Sequence, residues 1–128
     1  MILDPCRGGG SFYDNLPSPK DWCEIDEGKD FYDYTSKVDW IISNPPYSHF
    51  DEWLDHSFAL SDNVVYLVPI AKVWKSWGTM MVIKKYGGIK KVLFIPASRC
   101  GFPFGFPCGA VHFSKGYKGP MEIIYAPE

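Results

Sequence analysis

The sequence predicts an α/β protein built on a mostly parallel sheet, with a ligand at the carboxyl ends of its strands. Three observations predict it. Short apolar runs alternate along the chain with segments of helical period. The first apolar run ends in an acid and passes directly into glycines. A later run ends at a double proline that holds a polar side chain at the strand edge. Strands are expected near residues 1–4, 21–25, 38–43, 63–69, 89–95 and 110–115, with a final one at 121–125, and no internal repeat interrupts them.

The first strand, Met1-Ile2-Leu3, runs into Asp4-Pro5-Cys6-Arg7-Gly8-Gly9-Gly10-Ser11-Phe12. Glycine has no side chain to keep a ligand away from backbone, so Gly8 and Gly10 would line whatever binds there. A flexible terminus has similar composition, and the turn alone does not decide between the two. Asp21-Trp22-Cys23-Glu24 reads as the second strand, again ending in an acid.

The apolar run 38–42 leads to Ser43-Asn44-Pro45-Pro46-Tyr47. Two consecutive prolines hold this segment extended and forbid helix at Asn44, so its polar groups project from a strand end into a cleft. An amide oxygen, the Pro45 carbonyl and an aromatic face are what activation of a nucleobase amine requires. An ordinary surface turn uses the same letters. After Tyr47, Ser48 is placed to cap a helix whose Phe50, Trp53, Leu54 and Phe58 recur at helical spacing, with Asp51 answering the cap. Another helix is expected within residues 72–86, stopping at Gly87-Gly88.

At 128 residues and 46% apolar content the chain can bury one real core, as a single domain. No apolar run approaches a membrane span, and the start lacks the basic-then-apolar layout of a signal peptide, so a cytoplasmic protein is expected. Cys6, Cys23, Cys100 and Cys108 show no Cys-x-x-Cys spacing and read as reduced thiols, not zinc ligands. His49, His56 and His112 form no ligand spacing and read as structural.

Net charge is only −2, yet residues 1–63 hold thirteen of the fifteen acids, and residues 64–121 hold nine bases and no acid. Lys72, Lys75, Lys84, Lys85, Lys90, Lys91, Arg99, Lys115 and Lys118 would form a phosphate-facing surface. A solvated face on an ordinary soluble protein is the alternative.

The spacing Asp-Pro-x-x-Gly-x-Gly-x-Phe followed by Asn-Pro-Pro-Tyr resembles the catalytic domain of the S-adenosylmethionine-dependent amino-group DNA methyltransferases, in particular the adenine-N6 enzymes. The similarity covers nearly the whole chain. It implies a minimal Rossmann-like methyltransferase sheet, mostly parallel with an antiparallel strand near the C-terminus, forming one catalytic domain over residues 1–128 without a target-recognition domain. It implies S-adenosylmethionine as cofactor, no metal, and a target amine held by Asn44 and Pro45, with Pro46 stiffening the corner and Tyr47 stacking on a base taken out of its helix or already single-stranded.

The resemblance also implies a cofactor site built from Asp4, Pro5, Gly8, Gly10, Phe12, Glu24, Ile25, Asp30, Phe31, Asn44 and Phe50. Glu24, with Asp26 as second choice, would accept from the ribose hydroxyls. Asp30 would accept from the cofactor's adenine amine. Ile25, Phe31 and Phe50 would wall the adenine pocket, with core packing an equally good explanation. Only residues 26–29 separate the second strand from Asp30-Phe31, so the helix usual there is expected to be lost or reduced to a turn. One of Phe102, Phe104 or Phe106 would close over the target base, with a β-turn whose phenylalanines fill the core an equally good explanation.

DNA is the expected partner and RNA the second choice. The family's methionine-packing segment and its sequence-reading region are not visible, so completion by self-association or by a separate recognition subunit is expected. Three readings follow: an adenine-N6 DNA methyltransferase; a methyltransferase acting on RNA purines or a protein glutamine; and a non-catalytic remnant that binds cofactor or nucleic acid.

Overall fold

Seven runs pair into one sheet: β1 (Ile2–Asp4), β2 (Lys20–Trp22), β3 (Trp40–Ser43), β4 (Asn63–Pro69), β5 (Gly87–Ile95), β6 (Cys108–Lys115) and β7 (Glu122–Tyr125). The structure, a computed structural model, describes residues 1–96 and 108–126. The strand order is β2-β1-β3-β4-β6-β5-β7. β1 pairs parallel with β2 and β3, β3 with β4, and β5 with β7. β6 alone runs against its neighbours, inserted between β4 and β5. This is the mostly parallel α/β sheet with one reversed strand near the C-terminus that the sequence reading expects.

Alternation decides which face is buried. In β4, Val64, Tyr66 and Val68 are fully covered while Val65 and Leu67 are half-buried, and β6 covers Val111 and Phe113 with His112 half-buried between them. The buried face meets α1 (Phe50–Leu60), whose Phe50, Trp53, Leu54 and Phe58 fall on one side as their spacing requires. Phe58 stacks on Tyr86 at 3.8 Å between ring centroids and meets Phe113 at 5.5 Å. Polar atoms inside this core pair with one another. Trp53 Nε1–H donates to the Tyr66 hydroxyl at 3.0 Å, and Ser57 Oγ lies 2.6 Å from that hydroxyl.

Helix entry differs from expectation at two places. The cap position of α1 is His49, in the left-handed region at φ 54°, and no side chain caps the helix. Ser48 stands one residue too early to reach the first free N–H groups, and Asp51 instead accepts from Thr79 Oγ1 at 2.6 Å. The single helix expected within 72–86 is two, α2 (Ile70–Trp74) and α3 (Trp77–Tyr86). Ser76 divides them, because its Oγ accepts the Thr79 N–H at 3.0 Å and so starts a new helix where the old one would have continued. α3 stops at Gly87 as expected, and a Cβ there would overlap the Ser114 carbonyl oxygen.

The amino-terminal half is poor in helix. Residues Tyr13–Asn15, Ile25–Glu27 and Phe31–Asp33 form single 3₁₀ turns. The helix usual before Asp30 is therefore reduced to turns, with Gly28 left-handed at φ 76° between two of them. The cysteines need one correction. Cys6 and Cys23 are free thiols, but Cys108 is disulfide-bonded. One bridge requires neither a framework of cysteines nor a Cys-x-x-Cys spacing, only two β-carbons within reach.

Candidate active site

Because β1 and β3 are parallel neighbours, with Leu3 opposite Ile41, their carboxyl ends arrive at one rim. There the Ser43 hydroxyl donates to Asp4 Oδ1 at 2.6 Å, and the Cys6 N–H donates to the same oxygen at 3.1 Å. Both side chains are 1% exposed. Burial raises the Asp4 pKa, and the bonds from Ser43 and Cys6 oppose that rise. A buried bond thus ties the glycine turn to the double-proline corner.

The turn itself is held by backbone. Arg7 N–H donates to the Cys23 carbonyl at 3.0 Å, and Gly10 N–H donates to that of Arg7 at 2.9 Å. Gly8 and Gly10 have φ of 55° and 95°, conformations that favour glycine. Among the described residues no atom lies within 4 Å of where a Cβ on Gly8 or Gly9 would stand, so these two face open space; Gly10, expected to line the ligand as well, is buried, with Asp14 Oδ2 2.9 Å from its Cβ position. Asp4 and Pro5 are buried beneath it and hold its shape. Phe12 is half-buried at the start of the first 3₁₀ turn.

Glu24 follows β2 and bridges to the loop. Its Oε1 accepts the Gly8 N–H at 2.9 Å, and its Oε2 accepts the Asp26 N–H at 3.0 Å. Ile25 beside it is 69% exposed, a large apolar side chain on an open surface. Asp30 spends Oδ1 on the Tyr32 N–H at 2.9 Å. Phe31 is only 2% exposed and packs 4.6 Å from both Trp53 and His56, so core packing is what this ring does.

A cluster of four residues near the turn escaped sequence reasoning. The Arg7 guanidinium lies 3.7 Å over the Trp22 ring and pairs with Glu27, while Lys29 Nζ lies 3.9 Å over the same ring. Arg7 Nε is buried with no hydrogen-bond partner among the described residues. An aromatic in β2 with bases in the turns on either side was the available signal.

At the other motif Asn44 is exposed, Pro45 buried and Pro46 exposed. The Tyr47 hydroxyl donates to Asn44 Oδ1 at 3.0 Å, and burial pushes its pKa up to about 12. The amide oxygen expected to await a substrate is therefore already accepting. Tyr47 and Phe50 line a cleft of about 310 Å3, with Asp51 and Glu52 on its α1 side and Lys72, Lys75, Ser76 and Thr79 on the other. Phe102, Phe104 and Phe106 lie outside the described residues. Among the described residues no three His, Cys, Asp or Glu side chains gather as a metal site, and no helix is long and apolar enough to cross a membrane.

The basic half is partly neutralised. Lys91 pairs with Glu122 at 3.9 Å and Lys115 with Asp62 at 3.7 Å, while Lys118 Nζ donates to the Lys84 carbonyl at 2.7 Å.

No protein-family model and no curated protein matches the chain. Solved structures share its fold. One is a protein from Listeria monocytogenes, provisionally assigned as a class I S-adenosylmethionine-dependent methyltransferase, at TM-score 0.69 and 16% identity, covering 98% of this chain and 57% of that one. Thermoplasma acidophilum 1320 matches at TM-score 0.68 and 14% identity over 90% of this chain and 74% of its own. A Pyrococcus horikoshii protein, provisionally assigned as an RNA methyltransferase, matches at TM-score 0.62 and 20% identity over 89% of this chain and 74% of its own. The chain spans little more than half of the Listeria protein, and at these identities the likeness is one of fold.

Proposed function

We propose that this chain is an S-adenosylmethionine-dependent methyltransferase that acts on the exocyclic N6 amine of adenine in DNA. The observation that carries the reading is the buried bond from Ser43 to Asp4, which fixes a cofactor-type glycine turn beside an amine-accepting Asn-Pro-Pro-Tyr corner. The two proteins provisionally assigned as methyltransferases supply the precedent for the fold.

The residues at the turn fit the cofactor. Gly8 and Gly9 leave open space over the loop, and Glu24 stands at its side. A carboxylate has about four acceptor positions, so the two N–H groups on Glu24 leave capacity for ribose hydroxyls. Ile25 offers an exposed apolar face for an adenine ring. The buried Asp4 acts through the loop it shapes. Bound S-adenosylmethionine supplies a methyl group on a sulfonium centre for displacement by an amine.

The chain's own task is to make that amine a nucleophile. An adenine amine is weak because its lone pair is delocalised into the ring. Asn44 Oδ1 and the Pro45 carbonyl accept its two hydrogens and favour the tetrahedral nitrogen that can react. Tyr47 gives up its bond to Asn44 and stacks on the incoming base.

RNA is the alternative acceptor, favoured by the assignment of the Pyrococcus protein. Incubation with labelled S-adenosylmethionine and separate DNA, RNA and protein acceptors tests the proposal, and label on adenine N6 of DNA is expected. Asn44→Ala should abolish transfer while calorimetric cofactor binding persists. Absence of cofactor binding in the wild-type protein would instead favour a non-catalytic remnant.

A further inference from the structure

From the lip of the cleft, we infer that the α2–α3 corner is the seat of a single-stranded nucleic acid, with Lys72 and Lys75 on its phosphates and Trp77 stacked on an unpaired base beside the target. This rests on the proposed transfer to a nucleobase and adds the surface that delivers it.

α2 begins where β4 ends, and β4 runs parallel to β3, so the corner stands at the same rim as Asn44. Lys72 and Lys75 line the cleft that Tyr47 also lines. Among the described residues neither lysine is in an ion pair, unlike Lys91 and Lys115. No acid occurs in residues 64–121, so the carboxylates that line this cleft, Asp51 and Glu52, both come from α1. Counterion release then favours a polyanion there.

Trp77 is 71% exposed and Trp74 47%, on either side of Lys75-Ser76. Two indoles held out to water between cations suit stacking on a base, and a base inside a duplex offers no free face. Asp51 and Glu52 from α1 line the same cleft, with Asp51 hydrogen-bonded to Thr79, and they repel phosphate, which keeps the strand's backbone at the lysine-bearing lip.

Fluorescence anisotropy tests the inference with a short labelled adenine-containing single strand, as DNA and as RNA, against a duplex of the same sequence. The wild-type protein should prefer the single strand. Lys72→Ala/Lys75→Ala should bind it more weakly, with the slope of log affinity against log salt shallower by about 1.4, since each phosphate contact on a single strand contributes about 0.7. Trp77→Ala should weaken single-strand binding by about 5- to 150-fold while changing duplex binding little. Wild-type affinity and slope in these variants, a preference for duplex, or no binding to any of the three probes would overturn the inference. Calorimetry with S-adenosylhomocysteine on the same proteins separates the two proposals. Strand binding that depends on these residues without any cofactor binding would leave this surface standing and remove the methyltransferase reading.

Discussion

Replacing Ser43 by Ala tests the bond on which the site is built. The change removes a 2.6 Å donor from a carboxylate that is 1% exposed and leaves Asp4 Oδ1 with the Cys6 N–H alone. A hydrogen bond to a charged group contributes about 1.5–3 kcal/mol, so a loss of about 2 kcal/mol is expected, or roughly 8 °C in melting temperature for a domain of this size. The effect should depend on pH with a definite sign. Burial already raises the Asp4 pKa above 3.8, so just above that value the folded state holds a proton that the unfolded chain has released. Stability therefore falls as pH rises through the folded pKa. Losing Ser43 raises that pKa further, so the variant's deficit should be full at neutral pH and shrink on acidification into the carboxyl range. Urea unfolding of wild type, Ser43→Ala, Asp4→Asn and the double variant, at neutral and acid pH, measures both the deficit and the pair's coupling. A deficit under about 0.5 kcal/mol at neutral pH, or one of constant size across the range, would refute the reasoning.

Two further substitutions probe what the side chains hold. Tyr47→Phe keeps the ring and removes the hydroxyl donating to Asn44 Oδ1. An entering amine then displaces no partner, and KM for the acceptor should fall by about fivefold with kcat preserved, corresponding to about 1 kcal/mol; steady-state kinetics on a defined acceptor shows it. Tyr66→Phe strips Trp53 Nε1 and Ser57 Oγ of their shared partner inside the core and should cost about 1–3 kcal/mol in chemical denaturation, with the denaturant slope unchanged.

The sheet was legible in the sequence because its strands are short apolar runs punctuated by acid, glycine and proline. The rim was legible for the same reason, since Asp4 and Asn44 each follow such a run and parallel neighbours end at one edge. Side-chain allegiance was not legible. Phe31 suits a ligand wall and a core equally in composition, and only its packing on Trp53 and His56 decides. Ser48 has the right chemistry for a cap, but the left-handed His49 shifts the helix start by one residue. The break at Ser76 depends on one hydroxyl reaching Thr79, which competes with helix propensity too closely to be seen beforehand. Arg7 and Lys29 gathered on Trp22 through turns whose geometry no local pattern announces.

The hydroxyl of Tyr47 resting on Asn44 gives the proposed reaction a form of selectivity. An adenine that arrives with two N–H donors exchanges one partner for another, at little net cost. A guest that places a carbonyl where adenine has its amine, such as thymine, would evict the phenol and return no donor at that position. The amide oxygen would then face a second oxygen, a cost of about 1–3 kcal/mol that offsets a stacking gain of similar size. Discrimination would thus be built into the resting protein by the tyrosine it must first let go.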